Sequence, residues 1–230
     1  MKVLGIIPAR GGSKGVPRKN LRLVDGQPLI SYSIQKAKES KLLTDIIVSS
    51  DSDEIIKVSK EYQCESLKRC DENAQDDSKI EITILEVINS LKTRYDLIIL
   101  LQPTAPIRES EDIDNVIRMF LVDDDLKCVV SVIALEDIHP ARMYNISKEK
   151  TLVSLNKKLE SKRRQDLQPV FIRNGAIYAV KTAAFLNEKK IILPTKKAYI
   201  MPESKWANVD TERDLLITEV LIKEWKKGNL

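Results

Sequence analysis

The first segment with chemical potential is a glycine-rich, basic loop at residues 8–20, with the sequence PARGGSKGVPRKN. Its three glycines leave backbone N–H groups free to approach a ligand closely, and four cationic side chains surround them. A loop of this kind directly after a first β-strand is where an open α/β sheet binds phosphate. It matches neither the G-x-x-x-x-G-K-[ST] nor the G-x-G-x-x-G pattern. We therefore predict a phosphate site of another type; a mobile basic turn is the alternative.

A second candidate position lies in the segment LLQPTAP, residues 100–106, which leaves an apolar run and turns at two prolines. This arrangement predicts Gln102 at the carboxyl end of a buried strand. Ligands of open α/β sheets bind outside the carboxyl ends of the strands, so Gln102 should face the same crevice as the first loop. The alternative is a polar strand end held by its own backbone.

Residues suited to covalent or zinc chemistry are sparse. Cys64, Cys70 and Cys128 form no C-x-x-C pair, and His139 is the single histidine. Neither a disulfide framework nor a zinc site is therefore predicted, and reduced thiols suit a reducing compartment. No residue stands out as a nucleophile, so we expect direct displacement without a covalent intermediate.

The elements that must position these residues alternate between strands and helices. Near-continuous apolar runs are typical of parallel strands buried on both faces. Strands are predicted at Val3–Pro8, Asp45–Ser50, Leu97–Gln102, Lys127–Ala134 and Ala176–Val180. Helices are predicted at Leu29–Ser40, Ser52–Glu61, Ile80–Leu91, Ser110–Leu121 and Asp210–Lys227. This order predicts an α/β fold with a doubly wound, mostly parallel, Rossmann-like sheet.

The alternation breaks over about residues 137–168. Short polar–apolar alternation after His139 is followed by the basic run KKLESKRRQ, which predicts an inserted β-rich arm outside the sheet. An excursion of this size in a small domain usually serves an interface or a lid, with a solvated loop as the alternative. Apart from this arm, residues 1–230 are predicted to form a single domain.

Composition narrows the class of ligand. With 43% hydrophobic and 31% charged residues over 230 positions, the chain is predicted to be globular. A net charge of +4 with 5% aromatic residues argues against a nucleic-acid partner. No apolar run approaches the roughly 20 residues that span a bilayer, and MKVLGIIPAR is interpreted as a first strand rather than a signal peptide. We expect a cytoplasmic protein with a small anionic ligand and no membrane partner.

Several motifs together resemble one family. The run IIPARGGSKGVPRKN is similar to the opening signature of the N-acylneuraminate cytidylyltransferases, the CMP-sialic acid synthetases. The resemblance continues in register through VSSDSDEI, the arginine of LKRCDE, LLQPTAPIR, FIRNGAIYAVK and NVDTERD, across nearly the whole chain. It implies a nucleotidyltransferase fold and in-line transfer of CMP from CTP to the anomeric hydroxyl of a sialic-acid-like sugar, with release of pyrophosphate.

For the nucleotide, the resemblance implies that the triphosphate of CTP lies over the first loop, where cations stabilise the departing pyrophosphate. The implied catalytic residues are Arg10, Lys14, Lys19 and Asp210. The implied nucleotide contacts are Ala9, Gly11, Gly12, Ser13, Asn20 and Arg69.

For the acceptor, the resemblance implies contacts from Gln102, Arg142, Arg164, Asn174, Gly175 and Tyr178. The sugar carries a carboxylate, and Arg142 and Arg164 of the arm are the cations expected to bind it. In the family the arm crosses into the partner subunit, so a homodimer is expected.

The resemblance also implies Mg²⁺ just before the last helix, where the family has the pattern D-x-D. The matching residues are Asn208 and Asp210. An amide oxygen can coordinate the ion but lacks the charge, so we expect a lower affinity. The structural alternative for Asp210 is the N-cap of that helix. Ile80 is a second departure, since the family often has a serine there.

Two alternatives remain open from the sequence. A synthetase for a legionaminic, pseudaminic or Kdo-type acid would share the loop and differ around Gln102, Arg142, Arg164 and Tyr178. A non-catalytic, nucleotide-binding homologue is an alternative of another class, and Asn208 is the residue that favours it.

Overall fold

A computed structural model describes residues 1–70, 73, 78–135 and 138–230. Residues 71–72 of the LKRCDE motif and Asp137, where the arm was predicted to begin, lie outside the described residues. The strands are β1 Val3–Pro8, β2 Leu23–Val24, β3 Gln27–Pro28, β4 Asp45–Ser50, β5 Glu65–Lys68, β6 Leu97–Leu100, β7 Cys128–Leu135, β8 Tyr144–Ile146, β9 Leu152–Ser154, β10 Val170–Lys181 and β11 Lys197–Met201. The α-helices are α1 Leu29–Glu39, α2 Asp53–Glu61, α3 Ile80–Ser90, α4 Ser110–Leu121, α5 Thr182–Glu188 and α6 Glu212–Lys226.

Seven strands form the central sheet, in the order β11-β7-β10-β6-β1-β4-β5. Strand β10 is antiparallel to both of its neighbours, β6 and β7, and the other six strands run in one direction. The predicted mostly parallel α/β fold is therefore confirmed. Because β1, β4 and β6 are parallel, the segments that follow them emerge at the same edge of the sheet.

Alternation along the strands divides the core into two layers. Val3 and Ile7 of β1 belong to a buried cluster with residues of α1, α2 and α4, whereas Leu4 and Ile6 belong to a second cluster with residues of α3 and α5. Successive side chains of a strand point to opposite faces, and both faces are covered by helices. This two-sided burial is why the strands are apolar without interruption.

The elements that sequence reasoning missed lie mainly at the margins of the sheet. Edge strands β5 and β11 are only partly buried and have the polar sequences ESLK and KAYIM. They lack the continuous apolar run that reveals a central strand. The β2–β3 hairpin and α5 were also missed, and both are short. Strand β10 begins at Val170, six residues before the predicted Ala176.

The segment after β7 contains a separate two-stranded antiparallel sheet, β8–β9. This sheet agrees with the predicted β-rich arm outside the central sheet. Its apolar side chains face outward: Ile146 is 70% exposed and Leu152 is 61% exposed. Within the part of the chain that the structure describes, no helix is both long and apolar enough to cross a membrane.

Candidate active site

The glycine-rich loop is fixed at its start to the carboxyl end of β4. The Ala9 amide donates to the Ser49 carbonyl oxygen (2.9 Å), and the Gly11 amide donates to Asp51 Oδ1 (2.8 Å). A Cβ on Gly11 would lie 2.9 Å from Ser52 Cβ, which begins α2 as its N-cap. A residue larger than glycine would therefore push the loop away from this support.

The same loop is fixed at its other end to the segment before α6. A Cβ on Gly15 would lie 2.0 Å from the carbonyl oxygen of Asp210, so the two backbones touch. Lys19 Nζ donates to the Val209 carbonyl oxygen (2.7 Å) and to Asp210 Oδ1 (3.0 Å). The loop thus joins the amino-terminal part of the chain to residues 208–210.

A cavity of about 400 Å³, here called the loop cavity, opens over this loop. Its lining includes six residues predicted for the nucleotide and its phosphates: Arg10, Gly12, Ser13, Lys19, Asn20 and Arg69. Asn20 is buried, and its Nδ2 donates to the Arg10 carbonyl oxygen (2.9 Å). Ile80, where a serine was expected, also lines the cavity. Ala9 is buried beneath the loop and Lys14 is exposed on it.

Arg69 gives the loop cavity a partly desolvated cation. It is 6% exposed, and its guanidinium donates to the Ser49 carbonyl oxygen (2.8 Å) and to the Asn73 carbonyl oxygen (3.4 Å). Burial lowers the pKa of Arg69. The carboxylates of Asp51 and Glu86 raise this pKa, and the nearby Arg10 guanidinium lowers it. An anion bound between Arg10 and Arg69 would relieve the repulsion between these two guanidinium groups.

A second cavity of about 570 Å³, here called the sheet-edge cavity, lies beside β10 and α6. Four of the predicted sugar contacts line it: Gln102, Asn174, Gly175 and Tyr178. Arg173 and Arg213, which sequence reasoning did not select, also line it. Gln102, Asn208 and Asp210 line both cavities and form the wall that they share.

An irregularity in β10 shapes this shared wall. The strand register shifts between Arg173 and Tyr178, and Gly175 has a φ of +78°, which favours glycine. A Cβ on Gly175 would lie 3.1 Å from Gln102 Oε1 and 3.5 Å from Asn208 Oδ1. Close approach of the β10 backbone to these two amides therefore requires a residue without a side chain.

Asn174 stabilises the irregularity from inside. It is 3% exposed, and its Oδ1 accepts from Ser131 Oγ (2.6 Å) and from the Ala176 amide (3.2 Å). The amide of Asn174 therefore has partners within the protein, and its contact with a sugar stays a prediction. Burial raises the pKa of Tyr178, and the nearby Arg173 guanidinium partly offsets this rise.

Gln102 is held by a buried cation that sequence reasoning left without a role. Arg108 is 0% exposed, and it donates to Ser33 Oγ (3.0 Å), to the Gln102 carbonyl oxygen (2.5 Å) and to the Ala105 carbonyl oxygen. Among the described residues its Nε has no hydrogen-bond partner, and burial lowers the pKa of Arg108 to about 9. Position 108 directly follows a turn with two prolines, but no sequence pattern distinguishes a buried arginine from an exposed one.

Asp210 accepts two hydrogen bonds from neighbouring side chains. Asn208 Nδ2 donates to its Oδ2 (2.6 Å), and Lys19 Nζ donates to its Oδ1. The N-cap of α6 is Thr211, which forms a capping box with Asp214, so the capping alternative for Asp210 is wrong. One carboxylate and one amide oxygen beside the predicted phosphate site fit Mg²⁺, which retains water and phosphate ligands. No cluster of three or more His, Cys, Asp or Glu side chains occurs among the described residues.

Arg142 and Arg164 are not brought together with the other predicted contacts. Both are exposed on the arm, and neither lines the loop cavity or the sheet-edge cavity. Arg142 Nη2 donates to the Lys162 carbonyl oxygen (3.2 Å), and Arg164 lies in a short 3₁₀ turn. Their role in binding the sugar of a partner subunit stays a prediction.

A mostly parallel sheet with a basic loop at its carboxyl edge and two adjoining cavities is typical of α/β proteins that bind nucleotides. The family model described as Cytidylyltransferase matches residues 4–215, and the chain belongs to this family. The resemblance predicted from the motifs is thereby confirmed.

The chain is similar to two curated relatives and to one solved structure. Pseudaminic acid cytidylyltransferase of Campylobacter jejuni subsp. jejuni serotype O:2 is 31% identical over 97% of each chain. N-acylneuraminate cytidylyltransferase of Streptococcus agalactiae serotype V is 32% identical over 94% of this chain and 52% of that protein. The structure of CMP:2-keto-3-deoxy-manno-octonic acid synthetase complexed with CTP superposes with a TM-score of 0.75, at 17% identity, over 98% of this chain and 100% of that one. At this low sequence identity, the similarity to the solved structure supports the fold alone.

Proposed function

We propose that this cytidylyltransferase transfers CMP from CTP to a sialic-acid-like nonulosonic acid and releases pyrophosphate. The observation that carries the proposal is the wall shared by the two cavities, formed by Gln102, Asn208 and Asp210. Two substrates, one in each cavity, would therefore come together at these three residues. The names of the relatives, which act on pseudaminic acid and N-acylneuraminate, support an acceptor of this class.

In the proposed arrangement CTP occupies the loop cavity. Arg10 and Lys19 neutralise the triphosphate and the departing pyrophosphate, with Lys14 on the loop beside them. Asn20 and Arg69 line the part of the cavity that would hold the nucleoside. Fixed cations directed at developing negative charge are the main contribution a protein makes to phosphoryl and nucleotidyl transfer.

The proposed reaction is a direct in-line displacement. The anomeric oxygen of the acceptor forms a bond to the α-phosphorus, and the bond from that phosphorus to the bridging oxygen breaks. Pyrophosphate leaves, and the hydroxyl proton passes to water or to Asp210. Asp210 and the carbonyl oxygen of Asn208 would hold Mg²⁺, which when bound neutralises phosphate charge and orients the phosphate oxygens.

A homodimer assembled through the arm is part of the proposal. Ile146 and Leu152 of the β8–β9 hairpin and Phe171 of β10 are between 50% and 70% exposed. Ile146 and Leu152 lie opposite each other on the hairpin, and a second copy of the chain would cover this exposed apolar pair. The arm would then carry Arg142 and Arg164 to the partner's cavity. A monomeric mass by light scattering at micromolar concentration would contradict this arrangement.

We also propose that residues 1–230 act as one catalytic domain in the cytoplasm. The three cysteines are free thiols, and two of them, Cys64 and Cys128, are buried. Free thiols are typical of proteins in a reducing compartment.

The decisive experiment measures pyrophosphate release from CTP and Mg²⁺ with four acceptors: N-acetylneuraminic, pseudaminic and legionaminic acids, and Kdo. We expect release with one of the three nonulosonic acids. Release with Kdo alone would replace the proposed acceptor. Silence with all four, with CTP binding retained in calorimetry, would leave the non-catalytic homologue as the better account.

A further inference from the structure

We infer that Arg213, together with Arg173, binds the carboxylate of the acceptor within the sheet-edge cavity of the same chain. The inference rests on the proposed function, since it concerns the acceptor. Both arginines line the cavity that also contains Gln102 and Tyr178.

Arg213 stands where the helix itself does not favour a cation. It is the second residue of α6, which begins at Glu212. The amino-terminal end of a helix has a partial positive charge, so acidic residues stabilise the first turn and basic residues do not. The same partial charge favours an anion at that end. An arginine there is therefore explained by a ligand with negative charge better than by the helix.

The carboxylates around Arg213 accept their hydrogen bonds from other residues, although the charge of Arg213 also lowers the pKa of Asp214, which lines the same cavity. Glu212 pairs with Arg22 through two hydrogen bonds of 2.6 and 3.0 Å. Asp214 accepts from the Thr211 amide (2.8 Å), from Thr211 Oγ1 (2.9 Å) and from the Asp210 amide (3.1 Å). No salt bridge joins Arg213 to a carboxylate of any described residue.

Arg173 supplies a second cation to the lining of the same cavity. It lies on β10 directly before Asn174 and the irregularity in the strand, and it is exposed. Its charge acts on Tyr178, whose pKa it lowers. Among the described residues it too has no salt-bridge partner. Planar guanidinium groups bind carboxylates through paired hydrogen bonds, which suits two arginines at one small anion.

The phosphates of CTP are not the anion that this pair serves. The loop cavity has its own cations, Arg10, Lys19 and Arg69, and these do not line the sheet-edge cavity. The remaining negative group in the reaction is the acceptor carboxylate. On the acceptor side Asp210 lies close to this anion, and the hydrogen bonds from Lys19 and Asn208 offset its charge.

The test compares Arg213→Gln, Arg173→Gln and the double variant with Arg94→Gln, an exposed arginine before the amino end of β6. For each enzyme the KM of the acceptor and the KM of CTP are measured by pyrophosphate release. The substrates are the acid that the wild-type enzyme converts and the methyl ester of that acid. Because both tested arginines are exposed, melting temperatures should stay at the wild-type value.

We expect Arg213→Gln to raise the acceptor KM about 10-fold to 100-fold, the usual effect of losing a charge-assisted hydrogen bond. The KM of CTP should change by less than about twofold. The preference for the acid over the ester should fall by a similar factor, which a merely structural role would not cause. An unchanged acceptor KM or an unchanged preference in the double variant would overturn the inference. If the wild-type enzyme converts no acceptor, the proposed function fails instead.

Discussion

Lys19 Nζ lies 3.0 Å from Asp210 Oδ1, although 191 positions separate the two residues in the chain. The lysine side chain is 14% exposed and the aspartate side chain 63% exposed, so a mostly buried cation meets a mostly solvated anion. The pair lies where the loop cavity and the sheet-edge cavity adjoin. We expect the triphosphate of bound CTP to compete with Asp210 for Lys19, which would make the carboxylate available to a cation.

Lys19→Met tests this exchange. We expect kcat to fall about 100-fold, the typical effect of removing one donor to a charge that develops in the transition state. The KM of CTP should rise as well. Lys60→Met, at an exposed lysine in the last turn of α2, is the matched control. A loss of less than threefold in kcat would show that Lys19 serves only to hold the loop.

Asn208→Asp should raise the affinity for Mg²⁺. The change supplies a second carboxylate and removes the amide that donates to Asp210, and hard divalent cations prefer charged oxygen ligands. We expect the half-saturating Mg²⁺ concentration to fall severalfold in the presence of CTP. Calorimetric titration of the CTP complex checks this independently of turnover. Asn187→Asp on α5 controls for the added charge, and an equal response in both variants would refute the assignment.

Gly15→Ala should separate the loop from the segment before α6. The added methyl group would lie 2.0 Å from the Asp210 carbonyl oxygen, which belongs to backbone and cannot move alone. We expect CTP affinity to fall about 5-fold to 150-fold, the equivalent of the roughly one to three kcal/mol that is typical of overpacking a fitted contact. In the control Gly5→Ala the new methyl group would lie 3.2 Å from the flexible Leu43 side chain and 3.6 Å from the Asp45 carbonyl oxygen, so no backbone atom must move. Calorimetry with CTP decides the matter, and a wild-type affinity would contradict it.

Arg108→Lys should impair turnover without displacing the nucleotide. A lysine retains the charge but cannot reach Ser33 and the two carbonyl oxygens together. The Thr104 carbonyl oxygen, in the turn at 102–105, also accepts a hydrogen bond from the Val209 amide (2.8 Å). A looser turn would therefore move Gln102 and the 208–210 segment together. We expect the acceptor KM to rise and kcat to fall, with CTP binding nearly intact.

Ser33→Ala keeps the Arg108 prediction testable if the lysine variant folds poorly. It removes only the hydroxyl that accepts from Arg108 Nη1. A smaller shift of the same kind is expected. Equal losses of CTP and acceptor binding in both variants would indicate general loss of structure.

Thiol reactivity should distinguish the three cysteines. Burial raises the pKa of Cys64 to about 11 and also raises that of Cys128, whereas Cys70 is exposed. A raised pKa means that the folded state favours the protonated thiol, so this stabilisation is present below pH 9 and is lost as the pH rises toward 11. At pH 8 a disulfide reagent should modify one thiol in the native protein and three after unfolding. Rapid modification of two or more native thiols would contradict this.

The strands at the centre of the sheet and the position of the glycine-rich loop after the first of them were accessible from sequence. Val3–Pro8 and Asp45–Ser50 are predicted with the observed bounds, because a strand buried on both faces must be apolar throughout. Glycines among cations after a first strand indicate an anion site, and phosphate binding by this loop stays a prediction. Local composition was sufficient in both cases.

Other features depend on contacts between distant segments. Nothing in the sequence near Arg213 or Arg173 indicates that the two border one cavity, because α6 and the irregular part of β10 meet only in the folded chain. The same is true of Arg108, whose burial depends on the packing around the turn at 102–105. Edge strands β5 and β11 also escape prediction, since half-exposed strands tolerate polar residues.

By itself, the sequence determined the mostly parallel sheet, the glycine-rich basic loop that follows β1 and the cytidylyltransferase family, since burial, backbone freedom and motif order are properties of contiguous residues. Only the tertiary structure decided that Gln102, Asn208 and Asp210 form one wall between two cavities and that Gly15 touches the backbone of Asp210. The physical reason is that such distances are set by how strands, helices and loops pack, and packing joins residues that the chain keeps far apart.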